Sequence, residues 1–395
     1  MERVAIVASA RTPIGKFLGS FADVSAVELG TAVTRALLAR AGFAPEDVDL
    51  LIYGCGRQAG GGTNMARQVL IASGIPQERT AYTLNQACAS GIAAIVHAAD
   101  HIRLGKARVV VAGGAENMTR VPYYLDRARL GYRLGHAPLV DGMYKDGFLD
   151  PISGMVMGAT AEKLADLYSI PREEQDAFAL ESQRKAGVAI REGRFDKEIV
   201  PVTVAGRKGE TVVAKDEHPR PGTTMEELAK LPPVFRKGGT VHAGNSSGIT
   251  DAASSLLVVG ESVVEERGLN PQAWLGESAL VGVDPSIMGI GPVPAVRAVL
   301  AKTGRKLDDY ELVELNEAFA AQVLACDREL RFDRARLNVN GGAIALGHPI
   351  GCTGARIVTT LLHEMDRRGA RLGLATLCVS GGLGMALELH RNGAS

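Results

Sequence analysis

Four short segments of this sequence set reactive side chains among turn-forming neighbours. In Asn85–Gly91 an apolar run holding Tyr82 and Leu84 ends, and a helical pattern begins at Gly91. That spacing puts Cys88 at a helix N-terminus, where free N–H groups and the positive dipole end lower a thiol's pKa. The same N–H groups can stabilise an oxyanion. The competing reading is a small buried hydrophobe. In Asn338–Gly354, glycines surround a single histidine, His348, just ahead of another helical pattern. Alone, His348 reads equally as a side chain satisfying backbone groups in a tight loop; beside a cysteine it reads as part of a nucleophile pair. In Leu377–Gly384 an apolar strand delivers Cys378 into a turn that begins at Ser380. A thiol there could move a proton, or simply close a buried strand end. In Glu314–Phe319, Asn316 stands where a strand gives way to a helix, either as an N-cap or as a polar anchor aimed into the same cleft.

These segments fall on a duplication. Ala36–Gly42 recurs as Ala298–Gly304, and each copy leads through two acids (Glu46 and Asp47, Asp308 and Asp309) into an apolar strand. Gly91 opens an amphipathic pattern with Ile92, Ile95, Val96, Ala99 and Ile102; Gly354 opens its counterpart with Ile357, Val358, Leu361, Leu362 and Met365. Both patterns stop at a glycine (Gly105, Gly369), lead into a strand, and reach a Gly-Gly pair at 113–114 or 381–382. The near-constant separation indicates two copies of one α/β unit, which sets Cys88 and His348 in equivalent loops of pseudo-symmetric halves. We expect an N-terminal half over 1–118, completed by a strand within 250–265. An inserted loop domain spans 119–249, with one clear helix near 172–192, and a C-terminal half spans 266–395. Alternating helices and strands imply mixed or mainly parallel sheets covered by helices, and Ser25 with Glu28 fits a capping box.

Composition limits the partners. Lys plus Arg equals Asp plus Glu at 44 each, so no global field draws the chain to nucleic acid or a membrane surface. No apolar run approaches the roughly 20 residues of a membrane span. Five cysteines without a C-x-x-C pair argue against a disulfide framework and against a metal site, and favour free thiols in a reducing cytoplasm.

Together the four blocks, with Ala10–Gly15, resemble the thiolase family along essentially the whole chain. The resemblance implies a duplicated five-layered α/β/α/β/α core, a homotetramer built as a dimer of dimers, and no tightly bound cofactor. Acyl-CoA would be the substrate. It implies that Cys88 takes the acyl group, His348 draws off its proton and Cys378 handles the α-proton. Asn316 would hold a water, and the backbone N–H groups of Cys88 and Ser380 would receive an oxyanion. For coenzyme A it implies Arg220 at the nucleotide end, Phe235 as apolar contact, Ala243 and Ser247 along the pantetheine arm, and Met157 and Phe319 around the acyl group. Ser380 replaces a usual glycine, Val156 a frequent histidine, and Ala87 a leucine of some relatives. A β-ketoacyl carrier-protein synthase would need a second histidine where Cys378 stands. A non-catalytic acyl-CoA or lipid carrier would not need two thiols and an imidazole in glycine-built turns. Cys55, Cys326 and Cys352 belong to no reactive block and read as structural. Physiological direction and chain length stay open at this stage.

Overall fold

A computed structural model of the chain describes residues 2–206 and 209–391. Ten strands join in one sheet. Across it the order is Leu312–Leu315, Leu372–Val379, Leu383–His390, Ala273–Gly282, Val4–Arg11, Thr250–Gly260, Val109–Asn117, Leu50–Gly54 and Thr80–Leu84. The two-residue Gly15–Lys16 strand hangs on Thr250–Gly260. Each half repeats one plan: its first strand lies innermost, its last strand beside it, then the middle strands outward. In the first half Leu50–Gly54 runs parallel to both Val109–Asn117 and Thr80–Leu84. In the second, Leu312–Leu315 runs parallel to Leu372–Val379, and a lone parallel bridge between Val313 and Leu337 takes the outermost place. The halves meet where Ala5 and Ile6 pair with Trp274 and Ala273. Thr250–Gly260 pairs antiparallel with Val109–Asn117, as Leu383–His390 does with Leu372–Val379.

Strands enclosed on both faces, Leu50–Gly54, Val109–Asn117 and Leu372–Val379, are buried at every residue and read as near-continuous hydrophobic runs, while the edge strand Thr80–Leu84 has no buried residue. Val109 and Val111 face Leu29, Val33 and Leu37 of the outer helix Ala26–Ala41. Val110 and Ala112 face inward, where they share a core with Ala375, Leu377 and Leu387 from the other half. Between the two halves lie the helices Ser90–Arg103 and Ile350–Arg368. Val296, Val299 and Val323, on the helices Pro292–Thr303 and Ala320–Leu330, cover the far side. The stack is α/β/α/β/α. Ser25 and Glu28 form the expected capping box.

Three expectations change. The central helices begin at Ser90 and Ile350, ahead of the glycines expected to open them. The second is not amphipathic over most of its length: every residue from Ile350 to Leu362 is buried, because sheet, sheet and neighbouring helix enclose it. The two Gly-Gly pairs are not equivalent. Gly113 and Gly114 sit mid-strand opposite Ser255 and Ser254, whereas Gly381 and Gly382 form a turn at φ 88° and 83°.

Within the inserted segment, Met157–Leu167 joins the expected helix, Arg172–Arg191. A hairpin pairs Val202–Gly206 with Gly209–Val213. Arg11, fully buried on the first strand, ties this segment to the core through Glu198 at 2.6 Å and Asp216 at 2.7 Å. Removing one partner of such a buried pair costs about 3–5 kcal/mol, since the other charge stays behind.

The central helices touch backbone to backbone. A Cβ on Gly91 would stand 2.3 Å from the Ala355 amide nitrogen, and one on Gly354 would stand 2.5 Å from that of Ile92. Gly91→Ala should therefore lose about 1–3 kcal/mol of stability from overpacking, read as a lower denaturant midpoint. Gly222→Ala, with nothing within 4 Å of its added Cβ, should stay within about 0.5 kcal/mol of the parent. Equal midpoints for the two variants would contradict this crossing.

Candidate active site

Cys88 sits in a single tight turn, Ala87–Ala89, just before the Ser90–Arg103 helix. Ala87 is held at φ 44°, a left-handed conformation unusual for alanine. The turn is stapled locally: Asn85 accepts from the Ala87 N–H at 2.9 Å, while Ser90 accepts from the Gln86 N–H and donates to the Ala87 carbonyl. Across the midline, Gly347 adopts φ 102° with its α-carbon hard against Thr250, and His348 N–H donates to the Gly248 carbonyl at 3.0 Å. The crossing of the central helices brings these two loops together. His348 Nε2 lies 3.3 Å from Cys88 Sγ.

The hydrogen bonds fix the imidazole's tautomer. Thr353 donates its hydroxyl to the Pro349 carbonyl at 3.0 Å, so its Oγ1 accepts from His348 Nδ1–H at 2.6 Å. Nε2 is then the free base facing the thiol. Burial pushes His348 down to about 3, and the cations Arg356 and Arg57 push the same way. Burial also holds Cys88 above its ordinary value, against the backbone N–H groups of Ser380 and Cys88 and the charge of Arg57. The helix N-terminus was expected to lower this thiol's pKa; desolvation outweighs it. Cys378, second from the end of its strand, is pushed well above its ordinary value by burial, with Cys88 adding to the shift. The resting site thus holds two neutral thiols and a neutral imidazole.

Asn316 is not an N-cap. The following helix starts at Ala320 with Phe319 as its cap, and the Asn316 N–H donates to the Thr376 carbonyl at 3.0 Å, prolonging the strand pairing. Its Nδ2 lies 3.5 Å from His348 Nε2, and its buried Oδ1 has no protein partner. That leaves one polar atom in a dry site able to take up a water or a substrate.

A cavity of about 850 Å³ opens beside these groups, within the usual range for ligand sites. Cys88, His348, Cys378 and Ser380 line it, and so do Arg220, Phe235, Ala243, Ser247, Met157 and Phe319. Asn316 reaches the site beside His348, on the Nε2 side that faces Cys88. Phe235 and Phe319 meet edge to face with centroids 6.1 Å apart. Ser246 bridges to Phe319, and Ser247 N–H donates to the Ala318 carbonyl at 2.9 Å, so the end of this segment is sewn onto the second half. Val156, in place of the family's frequent histidine, also lines the cavity.

Two functional positions escaped the sequence reading. Glu116, fully buried, accepts the N–H groups of Gly56, Arg57 and Gly351 at 2.7–3.0 Å, locking a first-half loop to the start of the second-half helix. Its only signal was an acid in an otherwise apolar strand. Arg57 lines the cavity from that same loop and gave no pattern at all. Among the described residues no group of three or more His, Cys, Asp or Glu side chains is placed to hold a metal ion, and no helix is long and apolar enough to cross a membrane.

Comparison with known proteins agrees along the full length. Residues 4–262 match the thiolase N-terminal domain and residues 269–391 the thiolase C-terminal domain. An acetyl-CoA acetyltransferase of Pseudomonas aeruginosa is 53% identical, over 99% of this chain and 100% of its own length. The Escherichia coli acetyl-CoA acetyltransferase is 49% identical with the same coverage. The crystal structure of Bacillus anthracis acetyl-CoA acetyltransferase superposes with a TM-score of 0.97 at 47% identity, covering 99% of both chains. That of human mitochondrial 3-ketoacyl-CoA thiolase in complex with CoA superposes with 0.95 at 41%, covering 99% of this chain and 98% of its own. With its duplicated five-layered core, and its thiols and imidazole gathered on one cavity, the chain belongs to the thiolase family.

Proposed function

We propose that this acyltransferase interconverts two acetyl-CoA with acetoacetyl-CoA plus CoA, and cleaves 3-oxoacyl-CoA with CoA, through an acyl-enzyme on Cys88. The observation that carries the reading is the 3.3 Å approach of His348 Nε2 to Cys88 Sγ, on a cavity that a second thiol also lines. As Sγ attacks the thioester carbonyl, Nε2 takes its proton, and the N–H groups of Cys88 and Ser380 receive the oxyanion. The departing CoA thiolate takes the proton of Cys378. This leaves an acyl-Cys88, an imidazolium and a Cys378 thiolate. The thiolate then removes an α-proton from acetyl-CoA. The imidazolium and a water on Asn316 stabilise the enolate, whose carbon attacks the acyl-enzyme. Cys88 leaves as thiolate and recovers its proton from His348. Every proton returns, and two moderate steps replace one hard one.

The same reading assigns Arg220 to the phosphates, Phe235, Ala243 and Ser247 to the pantetheine arm, and Met157 and Phe319 to the acyl end. It makes 119–249 an inserted domain that binds CoA and assembles a homotetramer. Exposed leucines there, with Leu134 at 99% exposure, support an assembly surface. Five free thiols support a cytoplasmic setting.

Three outcomes are expected. Brief exposure to acetyl-CoA should add one acetyl group, mapped by peptide analysis to Cys88; acetylation elsewhere, or full activity in Cys88→Ser, would sink the assignment. Cys378→Ala should lose about 10²–10⁴ in turnover and stop exchanging the α-protons of acetyl-CoA into deuterated water, while still acetylating Cys88 in part. Exchange at the parent rate would make some other group the base. The pH profile follows from the pKa directions. The imidazole must be neutral to accept the thiol's proton, and His348 is pushed down to about 3, so kcat/KM should show no acid limb at the ordinary histidine value of about 6.5. A limb centred there would assign the imidazole an ordinary, solvated pKa.

A further inference from the structure

A buried cation without a counter-charge lines the catalytic cavity. Arg57 follows the Leu50–Gly54 strand and is only 8% exposed. The carboxylate next to it, Glu116, is engaged with backbone: it accepts from the Arg57 N–H at 3.0 Å and from Gly56 and Gly351. The guanidinium itself reaches only the Gly56 carbonyl, at 3.3 Å. Its buried Nε has no partner, and among the described residues it enters no ion pair. Gly147 closes over the group so tightly that a Cβ there would stand 2.0 Å from Nη2. Gly147 and Phe148 line the same cavity as Cys88. A buried, unpaired charge is costly, and proteins keep one chiefly where a ligand completes the pair.

The position of Arg57 selects the ligand. Its loop is tied to the reactive loops, since Asn85 Nδ2 donates to the Gly56 carbonyl at 3.2 Å and Glu116 joins Gly56 and Arg57 to Gly351. The Arg220 N–H instead donates to Gln183 at 2.8 Å. Accordingly the charge of Arg57 bears on Cys88 and His348 and that of Arg220 on His218. The two cations therefore serve different ends of the cavity. A pantetheine arm keeps the phosphates of CoA many bonds from the reacting sulfur, so a lasting anionic group of the substrate beside the nucleophile, as distinct from the transient oxyanion and thiolates, belongs to the acyl group. A guanidinium presents a planar fork that matches a carboxylate.

We propose that Arg57 binds a carboxylate at the far end of the acyl chain, and that this thiolase prefers CoA monothioesters of 3-oxo-dicarboxylic acids over neutral 3-oxoacyl-CoA. The proposal rests on the thiolase reading above. Attack of Cys88 on the 3-oxo carbon would release acetyl-CoA, its α-carbon taking a proton from Cys378, and leave the carboxylate-bearing acyl group on Cys88. Free CoA then carries that group away as a thioester, its thiol proton returning to Cys378. Acetyl and other short neutral groups leave Arg57 unpaired.

The test compares two CoA thioesters of equal chain length, 3-oxohexanoyl-CoA and its terminal-carboxylate counterpart 3-oxohexanedioyl-CoA, in the CoA-dependent cleavage assay. The parent enzyme should favour the dicarboxylic substrate in kcat/KM by about 10- to 100-fold, the range of a charge-assisted hydrogen bond. Arg57→Gln should collapse that ratio towards one, and Arg57→Lys, a point charge without the fork, should retain part of it. A parent ratio near or below one overturns the proposal without touching the thiolase reading, provided the neutral substrate is cleaved. So does an Arg57→Gln defect equal for both substrates, which would assign the arginine to CoA or to acyl transfer. Cleavage of neither substrate overturns both. The parent ratio needs no variant, so poor folding of Arg57→Gln cannot rescue the idea.

Discussion

Two helices cross at the centre of the molecule with no side chain between them. Gly91 and Gly354 occupy equivalent places in the two halves, and each lies where a single methyl group would meet the other helix's backbone. The Cys88 turn and the His348 loop lead directly into the two crossing helices. Cys88 precedes one helix and His348 the other, so the depth of the crossing sets the distance between Sγ and Nε2. Gly114 makes the same kind of room on the sheet side, with its α-carbon against the Gly351 carbonyl. Glu116 then bolts that helix start to the Gly56–Arg57 loop. A duplicated unit thus supplies two like loops, and close glycine packing converts them into one site.

The layers around the crossing determine the chemistry as much as the side chains do. Five layers keep the middle one dry, and a dry site penalises charge on any group. Both thiols are held in their neutral forms and the imidazole loses its affinity for a proton. Charge therefore develops only as acyl transfer proceeds, where fixed donors meet it without reorganising. The N–H groups of Ser380 and Cys88 still pull the Cys88 thiol down, but burial outweighs them.

The segment 119–249 closes over the core and forms one wall of the cavity. It is fastened at depth by Arg11 with Glu198 and Asp216, and again by Ser247 on Ala318. Rigid fastening lets Phe235 and Met157 face the thiols across one cavity. The side chains that differ from family habit, Val156 and Ser380, stand on the wall of that cavity. Arg57 joins them there.

Much of this was legible in the chain itself. Reactive residue types, the glycines beside them, the repeated α/β unit and the capping box at Ser25 and Glu28 are local patterns, and spacing encodes local geometry directly. The repeat implied two α/β halves, while their five-layered stacking was implied by the resemblance to thiolases. Tertiary structure decided the rest. It made Asn316 a polar anchor beside His348 rather than a helix cap, buried the second central helix all round from Ile350 to Leu362, and held Cys88 as a neutral thiol against the pull of the helix N-terminus. It also revealed Glu116 and Arg57, which no periodicity marks. Burial and through-space partners come from segments far apart in sequence, so a group's solvation, and with it its charge, is a property of the packed molecule rather than of the residues beside it in the chain.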